Sequence, residues 1–113
     1  MHELGIAGEI LSVILTEAAR HEAKKVTEVT VRVGVLRGIV TENLRFLFGN
    51  LAGDTIASGA PLVVEEEPVV IECGKCGESE TAAMAWECPS CKCPDIAVRG
   101  GDSLSIVSVE LDV

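Results

Sequence analysis

The sequence predicts an α+β fold, in which a small three-stranded sheet is covered on one face by two helices. Three observations predict it: two stretches carry apolar residues at helical spacing, three others carry them at strand spacing, and all five cysteines fall within residues 73–93. A chain of 113 residues is long enough for one ordinary domain with a small insert. We therefore expect one main core and a separate cysteine-rich insertion.

The first predicted element is an amphipathic helix from Leu4 to about Glu22. Its apolar stripe comprises Leu4, Ala7, Ile10, Leu11, Ile14, Leu15 and Ala18. Residues at this spacing share one face of a helix, and that face would be buried. The negative charge of Glu3 suits the amino-terminal end of a helix, and a cation at His21 suits the last turn. We interpret His21 in that way rather than as a metal ligand.

The next three elements alternate between strand and helix. Residues 26–35 are predicted to form a half-buried strand, because a valine stands at every second position from Val29 to Val35. Residues 41–51 return to helical spacing, and Gly53-Asp54 ends this second helix. Residues 62–71 form a second extended segment, which Pro68 interrupts.

The last predicted strand is residues 107–113, in which apolar and polar residues alternate. It would complete a core that the preceding elements leave open. The main domain is therefore expected to be discontinuous, consisting of residues 1–71 and 100–113, with residues 72–99 inserted between them. The Glu65-Glu66-Glu67 run is interpreted as a solvated strand end.

The composition excludes several classes of partner. The formal net charge is −9, whereas nucleic acids and anionic membrane surfaces are bound through an excess of Lys and Arg. No apolar run approaches the roughly 18 residues of a membrane span. No basic region followed by an apolar stretch opens the chain, so no secretory signal is expected. Aromatic residues make up only 3% of the chain, so its core must be aliphatic.

Four cysteines form the pattern C-x2-C-x11-C-x2-C, and a fifth follows closely. The four are Cys73, Cys76, Cys88 and Cys91, and the fifth is Cys93. An odd number of cysteines in paired C-x-x-C spacing, without a signal peptide, indicates metal binding in a reducing compartment rather than a disulfide framework. We therefore expect a cytoplasmic protein.

Two C-x-x-C turns that face each other supply four thiolates in a tetrahedron, which is the ligand set of a structural Zn(II) site. The insert is therefore expected to be zinc-ribbon-like, with a closed site and no catalysis. A rubredoxin-like iron centre uses the same four sulfurs and is the alternative. We interpret Cys93 as a free thiol beside the site; in the alternative, it replaces Cys91 or Cys88 as a ligand.

The Met1-His2-Glu3 segment can chelate a second metal without a folded pocket. The amine of Met1, the backbone nitrogen of His2 and the His2 ring can lie in one plane around an ion. Three nitrogens in a plane suit Ni(II) or Cu(II). Glu3 places a carboxylate beside them.

Taken together, these residues resemble the HypA family, the nickel metallochaperones of NiFe-hydrogenase maturation, over the whole chain. The resemblance includes the Met-His-Glu start, the long first helix, the valine-rich strand ending near Gly34 and the paired C-x-x-C turns. It also includes Leu44-x-Phe46-x-Phe48, Gly53-Asp54-Thr55, Gly59-Ala60-x-Leu62 and Gly101-Asp102-Ser103-Leu104.

This resemblance implies that the amino-terminal segment binds Ni(II) and passes it on, together with a nickel-handling GTPase, towards the hydrogenase large-subunit precursor. Family members carry a carboxylate near the start of the second helix, and Glu42 is the nearest candidate by position. The family usually has Gly after its fourth cysteine, where this chain has Lys92. Gly suits a left-handed backbone better than Lys, so the second C-x-x-C turn is expected to be distorted.

A carrier site with few ligands on a chain terminus would bind moderately and release by ligand exchange. The chain shows no P-loop and no Ser-His-Asp set, so we expect a non-enzyme. Two other readings remain open from the sequence: a zinc-ribbon protein-interaction module, in which the Met-His-Glu start is accidental, and a rubredoxin-like iron electron carrier.

Overall fold

The structure is a computed structural model that describes residues 2–113. In chain order its elements are α1 (Glu3–Arg20), β1 (Lys25–Gly34), a 3-10 turn (Val35–Arg37), α2 (Thr41–Ala52), β2 (Leu62–Glu67), β3 (Val69–Cys73), β4 (Gly77–Thr81), β5 (Ile96–Gly100) and β6 (Leu104–Asp112). Both predicted helices and the predicted α+β class are confirmed. No helix in the described part of the chain has the length and apolar character to cross a membrane.

The chain divides into two compact units, each built from separate stretches of sequence. The first comprises the residues up to Val31, Ile39–Glu65 and Ser105–Val113. The second comprises Arg32–Gly38 and Glu66–Leu104. The second unit is wider than the insert of residues 72–99 expected from the sequence, because it also takes in β3 and the 3-10 turn.

The core of the first unit lies where α1 and α2 pack against each other. Ile14 of α1 and Leu44 of α2 are fully buried, and Phe48 is nearly so. Burying each such side chain contributes about 1.5–3 kcal/mol. The helical spacing of apolar residues therefore identified the faces that the two helices bury, except at Leu4, which is 58% exposed at the start of α1.

The first sheet has the strand order β2-β1-β6, so β1 is its centre. Val26, Val29, Val31 and Val33 of β1 are all buried. β6 lies at an edge, and Val107 and Val113 are exposed. The sequence had placed them in the core; the expectation fails because Val107 lies on an edge strand, which has a neighbour on one side only, and Val113 follows the end of β6.

The second sheet has the order β4-β3-β5, with both pairs antiparallel. The predicted strand over residues 62–71 is in fact two strands, β2 and β3, which Pro68 separates and which belong to different sheets. A proline cannot donate to a ladder, so the break falls there. β3 ends at Cys73, whose register partners are Gly77 of β4 and Ile96 of β5.

The interpretation of the Glu65-Glu66-Glu67 run as a solvated strand end is wrong for Glu67. Its side chain is half-buried, and Oε1 accepts hydrogen bonds from the N–H of Gly101 at 2.7 Å and of Ser103 at 3.3 Å. Gly101 has φ +82°, a conformation that favours glycine. Glu67 therefore fixes the turn that leads from β5 into β6.

Candidate metal sites

The four cysteines of the paired motif come together in the second unit. The sulfur atoms of Cys73, Cys76, Cys88 and Cys91 all lie within 4.8 Å of one another. Cys73 Sγ and Cys91 Sγ are 3.6 Å apart. In a zinc tetrahedron with Zn–S bonds of about 2.3 Å, neighbouring sulfurs are about 3.8 Å apart. The four sulfurs therefore fit one zinc ion, and the same tetrahedron also accepts iron.

The first knuckle, residues 73–77, is the turn between two paired strands. Cys73 ends β3 and Gly77 begins β4, and the two residues are register partners. Gly77 has φ +80°, which a residue without a Cβ adopts at little cost. Sheet pairing therefore holds this knuckle in shape.

The second knuckle, residues 88–92, lies outside the strands. Its backbone is closed by two hydrogen bonds: the N–H of Lys92 donates to the Cys88 carbonyl, and the N–H of Cys88 donates to the Cys93 carbonyl, both at 2.9 Å. Lys92 has φ +64°, so it occupies the left-handed conformation that the family's glycine would take. The expected distortion does not move Cys91 out of the group of sulfurs.

Backbone amides prepare the first cysteine of each knuckle to act as a thiolate. The amides of Cys76 and Lys75 lower the pKa of Cys73 to about 7. The amides of Cys91 and Ser90 likewise lower the pKa of Cys88. A hydrogen bond from a backbone amide stabilises the charged form of a thiol. Both of these cysteines are buried, so they form the inner side of the site.

The second cysteine of each knuckle has a raised pKa, in contrast to the first. Its neighbouring sulfurs, Cys91 first and then Cys88, raise the pKa of Cys76 to about 12. The pKa of Cys91 is also raised, although the amide of Cys93 opposes this, because burial and the sulfurs of Cys73 and Cys88 favour its thiol. Four thiolates this close repel one another, so the full ligand set requires a cation.

Cys93 lies just after the second knuckle and is half-buried. Among the described residues, the group of four close sulfurs does not include it. Its carbonyl, rather than its sulfur, supports the knuckle by accepting the Cys88 amide. Its predicted role as a free thiol stays a prediction.

The amino-terminal segment is described from His2 onward, so the Met1 amine of the predicted nickel site lies outside the described residues. The His2 side chain is exposed, and its carbonyl accepts the Ile6 N–H at 3.0 Å, the first turn of α1. His21 lies at the far end of α1, where its Nε2 is 3.2 Å from Glu17 Oε1. The two histidines are therefore separated by the whole helix.

Glu3 has a structural contact that the sequence did not reveal. Its side chain is only 8% exposed, and Oε2 accepts the N–H of Val40 at 3.1 Å. Val40 is the N-cap residue of α2, and its own side chain cannot cap the helix. Glu3 therefore ties the start of α1 to the start of α2. No local pattern marks a contact between residues so far apart in sequence.

Glu42, the other predicted carboxylate, lies in the first turn of α2, two residues after Val40. Its side chain is 89% exposed, with Oε1 3.8 Å from Nη1 of Arg45. The Glu3–Val40 hydrogen bond thus brings the start of α1 to the end of α2 that carries Glu42.

Comparisons with known proteins agree over the whole chain. A family model described as "Hydrogenase/urease nickel incorporation, metallochaperone, hypA" matches residues 1–111. The hydrogenase maturation factor HypA of Chlorobaculum parvum is 34% identical over 113 residues, covering 99% of this chain and 100% of that protein. Its counterpart in Desulfosudis oleivorans is 37% identical over 113 residues, covering 98% of each.

A solved structure shares the fold. The solution structure of the Ni metallochaperone HypA from Helicobacter pylori superposes with a TM-score of 0.67 and covers 99% of this chain and 98% of that one. Its sequence is only 20% identical, so this likeness concerns the fold alone.

Proposed function

Since this chain belongs to the HypA family of nickel-incorporation metallochaperones, we propose that it binds Ni(II) at its Met-His-Glu start and delivers it for hydrogenase maturation. The observation that supports this most is the position of His2. Its ring is exposed directly before α1, while Glu3 anchors the beginning of that helix. An exposed metal-binding side chain next to an anchored helix suits a site that must both take up and release its nickel ion.

The proposed nickel ligands are the amine of Met1 and the backbone and ring nitrogens of His2, which suit the planar geometry that Ni(II) accepts. The Glu3 carboxylate already accepts a hydrogen bond from Val40. We propose that it orients the ligands or completes the set, and loss of a group that supports metal ligands commonly lowers metal affinity by roughly 10–100-fold. Glu42, at the same end of α2, is the further candidate.

The proposed partners are the nickel-handling GTPase of hydrogenase maturation and the hydrogenase large-subunit precursor, in the cytoplasm. The nickel would pass between proteins by exchange of ligands, so the chain itself performs no catalysis. The zinc would be structural and held by Cys73, Cys76, Cys88 and Cys91, with Cys93 as the alternative sulfur. We further propose that residues 72–99 are the part that folds with the zinc.

Nickel titration of the untagged, zinc-loaded protein by calorimetry tests the proposal. His2→Ala removes the ring, and a short extension before Met1 converts the amine to an amide. Each should weaken nickel binding by more than the roughly 10–100-fold that loss of a group supporting a ligand costs, because a ligand itself is lost. Glu3→Gln, which keeps an oxygen for the Val40 amide, should have a smaller effect.

His21→Ala is the matched control, because it removes the other histidine from the far end of α1 and should leave nickel affinity unchanged. Zinc content should be the same in all these variants. If the extended and His2→Ala proteins bind nickel as tightly as the native chain, the proposed nickel site is wrong.

A further inference from the structure

The second unit carries an open groove next to an exposed loop, and neither belongs to the metal sites described above. The groove has a volume of about 390 Å³ and is lined by Val35, Glu66, Pro68, Glu80, Thr81 and Ala82. The loop, residues 82–86, starts at Ala82 on the groove wall. The Ala83 N–H donates to Thr81 Oγ1 at 3.4 Å and fixes the start of the loop. We call the groove and loop together the acidic groove surface.

The loop is entirely apolar and largely exposed. Its sequence is Ala-Ala-Met-Ala-Trp, and Met84 and Trp86 are 45% and 81% exposed. The chain has one Trp, two Phe and no Tyr, so its single largest aromatic side chain contributes little to its own core. Tryptophan is enriched among the few residues that dominate binding energy at protein interfaces. Trp86 is therefore suited to anchor a partner.

The groove beside the loop is negatively charged and lacks a cation of its own. Glu66 and Glu80 are both exposed, and neither forms an ion pair among residues 2–113. By contrast, the nearby carboxylates Glu72 and Glu78 share Arg99, which bridges the strands of the second sheet. Two unpaired carboxylates on the groove wall attract a positive charge.

The charge also restricts the identity of the partner. The chain carries a net charge of −9, which repels nucleic acid, anionic lipid and a second copy of this chain. We propose that the acidic groove surface binds a segment of a partner protein that carries Lys or Arg beside a bulky apolar residue. The cation lies in the groove against Glu66 and Glu80, and the apolar residue packs on Met84 and Trp86. This inference goes beyond the proposed nickel function and does not depend on it.

Because Trp86 is the only tryptophan, its fluorescence reports directly on this surface. The experiment titrates the zinc-loaded full chain with a capped decapeptide in which Lys and Leu alternate between Gly-Ser flanks. Two control peptides carry Glu in place of Lys or Ser in place of Leu. We expect the emission of Trp86 to shift to the blue and to saturate with the Lys-Leu peptide only.

Variants connect the binding to the proposed residues. The double variant Glu66→Gln, Glu80→Gln should weaken peptide binding by about tenfold or more, as truncating an anchor does. Trp86→Ala should weaken it by a similar factor, and calorimetry measures its binding because the variant has lost the fluorescent side chain. Glu9→Gln removes an exposed carboxylate from α1, and Phe46→Ala removes an exposed aromatic side chain from α2. These matched controls should bind as the native chain does.

Three results would overturn the inference: no fluorescence change with the Lys-Leu peptide, equal binding of the Glu-Leu peptide, or full affinity in the Glu66→Gln, Glu80→Gln protein. A fourth is self-association in sedimentation that disappears in Trp86→Ala, because it would assign the surface to a second copy of the chain.

Discussion

The two knuckles contribute two sulfurs each to one site, yet they are held in shape by different means. The first is the turn of the β3–β4 hairpin, and its left-handed position is occupied by Gly77. The second lies in a segment without strands, and its left-handed position is occupied by Lys92. The same sulfur spacing is thus supported by sheet pairing on one side and by two backbone hydrogen bonds on the other.

This difference indicates which knuckle depends more on the metal. A residue with a side chain costs about 1–2 kcal/mol in the left-handed conformation, whereas glycine does not carry this cost. In the second knuckle that cost is offset only by local hydrogen bonds and by the bound ion. We therefore expect the second knuckle to lose its structure first when the metal is absent.

Removing a ligand tests the comparison with the largest expected effect. Cys73→Ser should abolish binding of the single zinc, because structural zinc contributes on the order of 10 kcal/mol to the folding of such sites. Amide hydrogen exchange should show residues 88–93 unprotected, some protection left in β3 and β4, and α1 and α2 still protected. Metal analysis gives the zinc content of the variant. For the native protein in air, the absence of visible absorbance would exclude an iron–thiolate centre.

The matched control for this variant is Cys93→Ser. It should keep full zinc, because Cys93 supports the second knuckle through its carbonyl rather than its sulfur. Zinc loss in this variant would contradict the proposed ligand set. Equal protection of both knuckles after zinc removal would contradict the difference between them.

Acid provides a second, smaller perturbation. Amide donors lower the pKa of Cys73 from its ordinary value of 9.0 to about 7, so its thiolate is favoured above that pH and is lost as the pH falls through it. Protons already compete with zinc at Cys76 above this pH, and below about pH 7 they also compete at Cys73, so zinc affinity should fall more steeply there. A competition titration against a chelator across this pH range measures the effect. An affinity independent of pH would contradict it.

Exchanging the residues at the left-handed positions has the smallest expected effect. Lys92→Gly should stabilise the second knuckle by up to about 1–2 kcal/mol and slow zinc release to a chelator. Gly77→Ala should destabilise the first knuckle by about 1–2 kcal/mol, because alanine carries the cost of the left-handed conformation at φ +80°. A Cβ at Gly77 meets no atom within 4 Å, so the change isolates the backbone cost. Opposite signs in the two release rates would support the comparison, and like signs would contradict it.

Much of the fold could be predicted because its signals are local. The apolar stripe of α1 and the valines of β1 show their period directly, and the cysteine spacing identified the four sulfurs that meet. The positive φ at Lys92 was also predictable, since the family has glycine at that position.

The remaining features depend on contacts that no local pattern records. Pro68 marked an interruption, but not that the chain changes sheets there. β4 is Gly-Glu-Ser-Glu-Thr, which has no apolar face, so only its pairing with β3 makes it a strand. The contacts of Glu3 with Val40 and of Glu67 with Gly101 join residues 37 and 34 positions apart.

The order of the strands has a consequence for biosynthesis. β1, the first strand in chain order, takes β6, the last strand, as one of its partners. A ribosome makes the chain in sequence, so the first sheet stays open until β6 has emerged. The second unit has all its residues once Leu104 has been made. The unit that contains the cysteines can therefore close before the unit that contains the amino terminus.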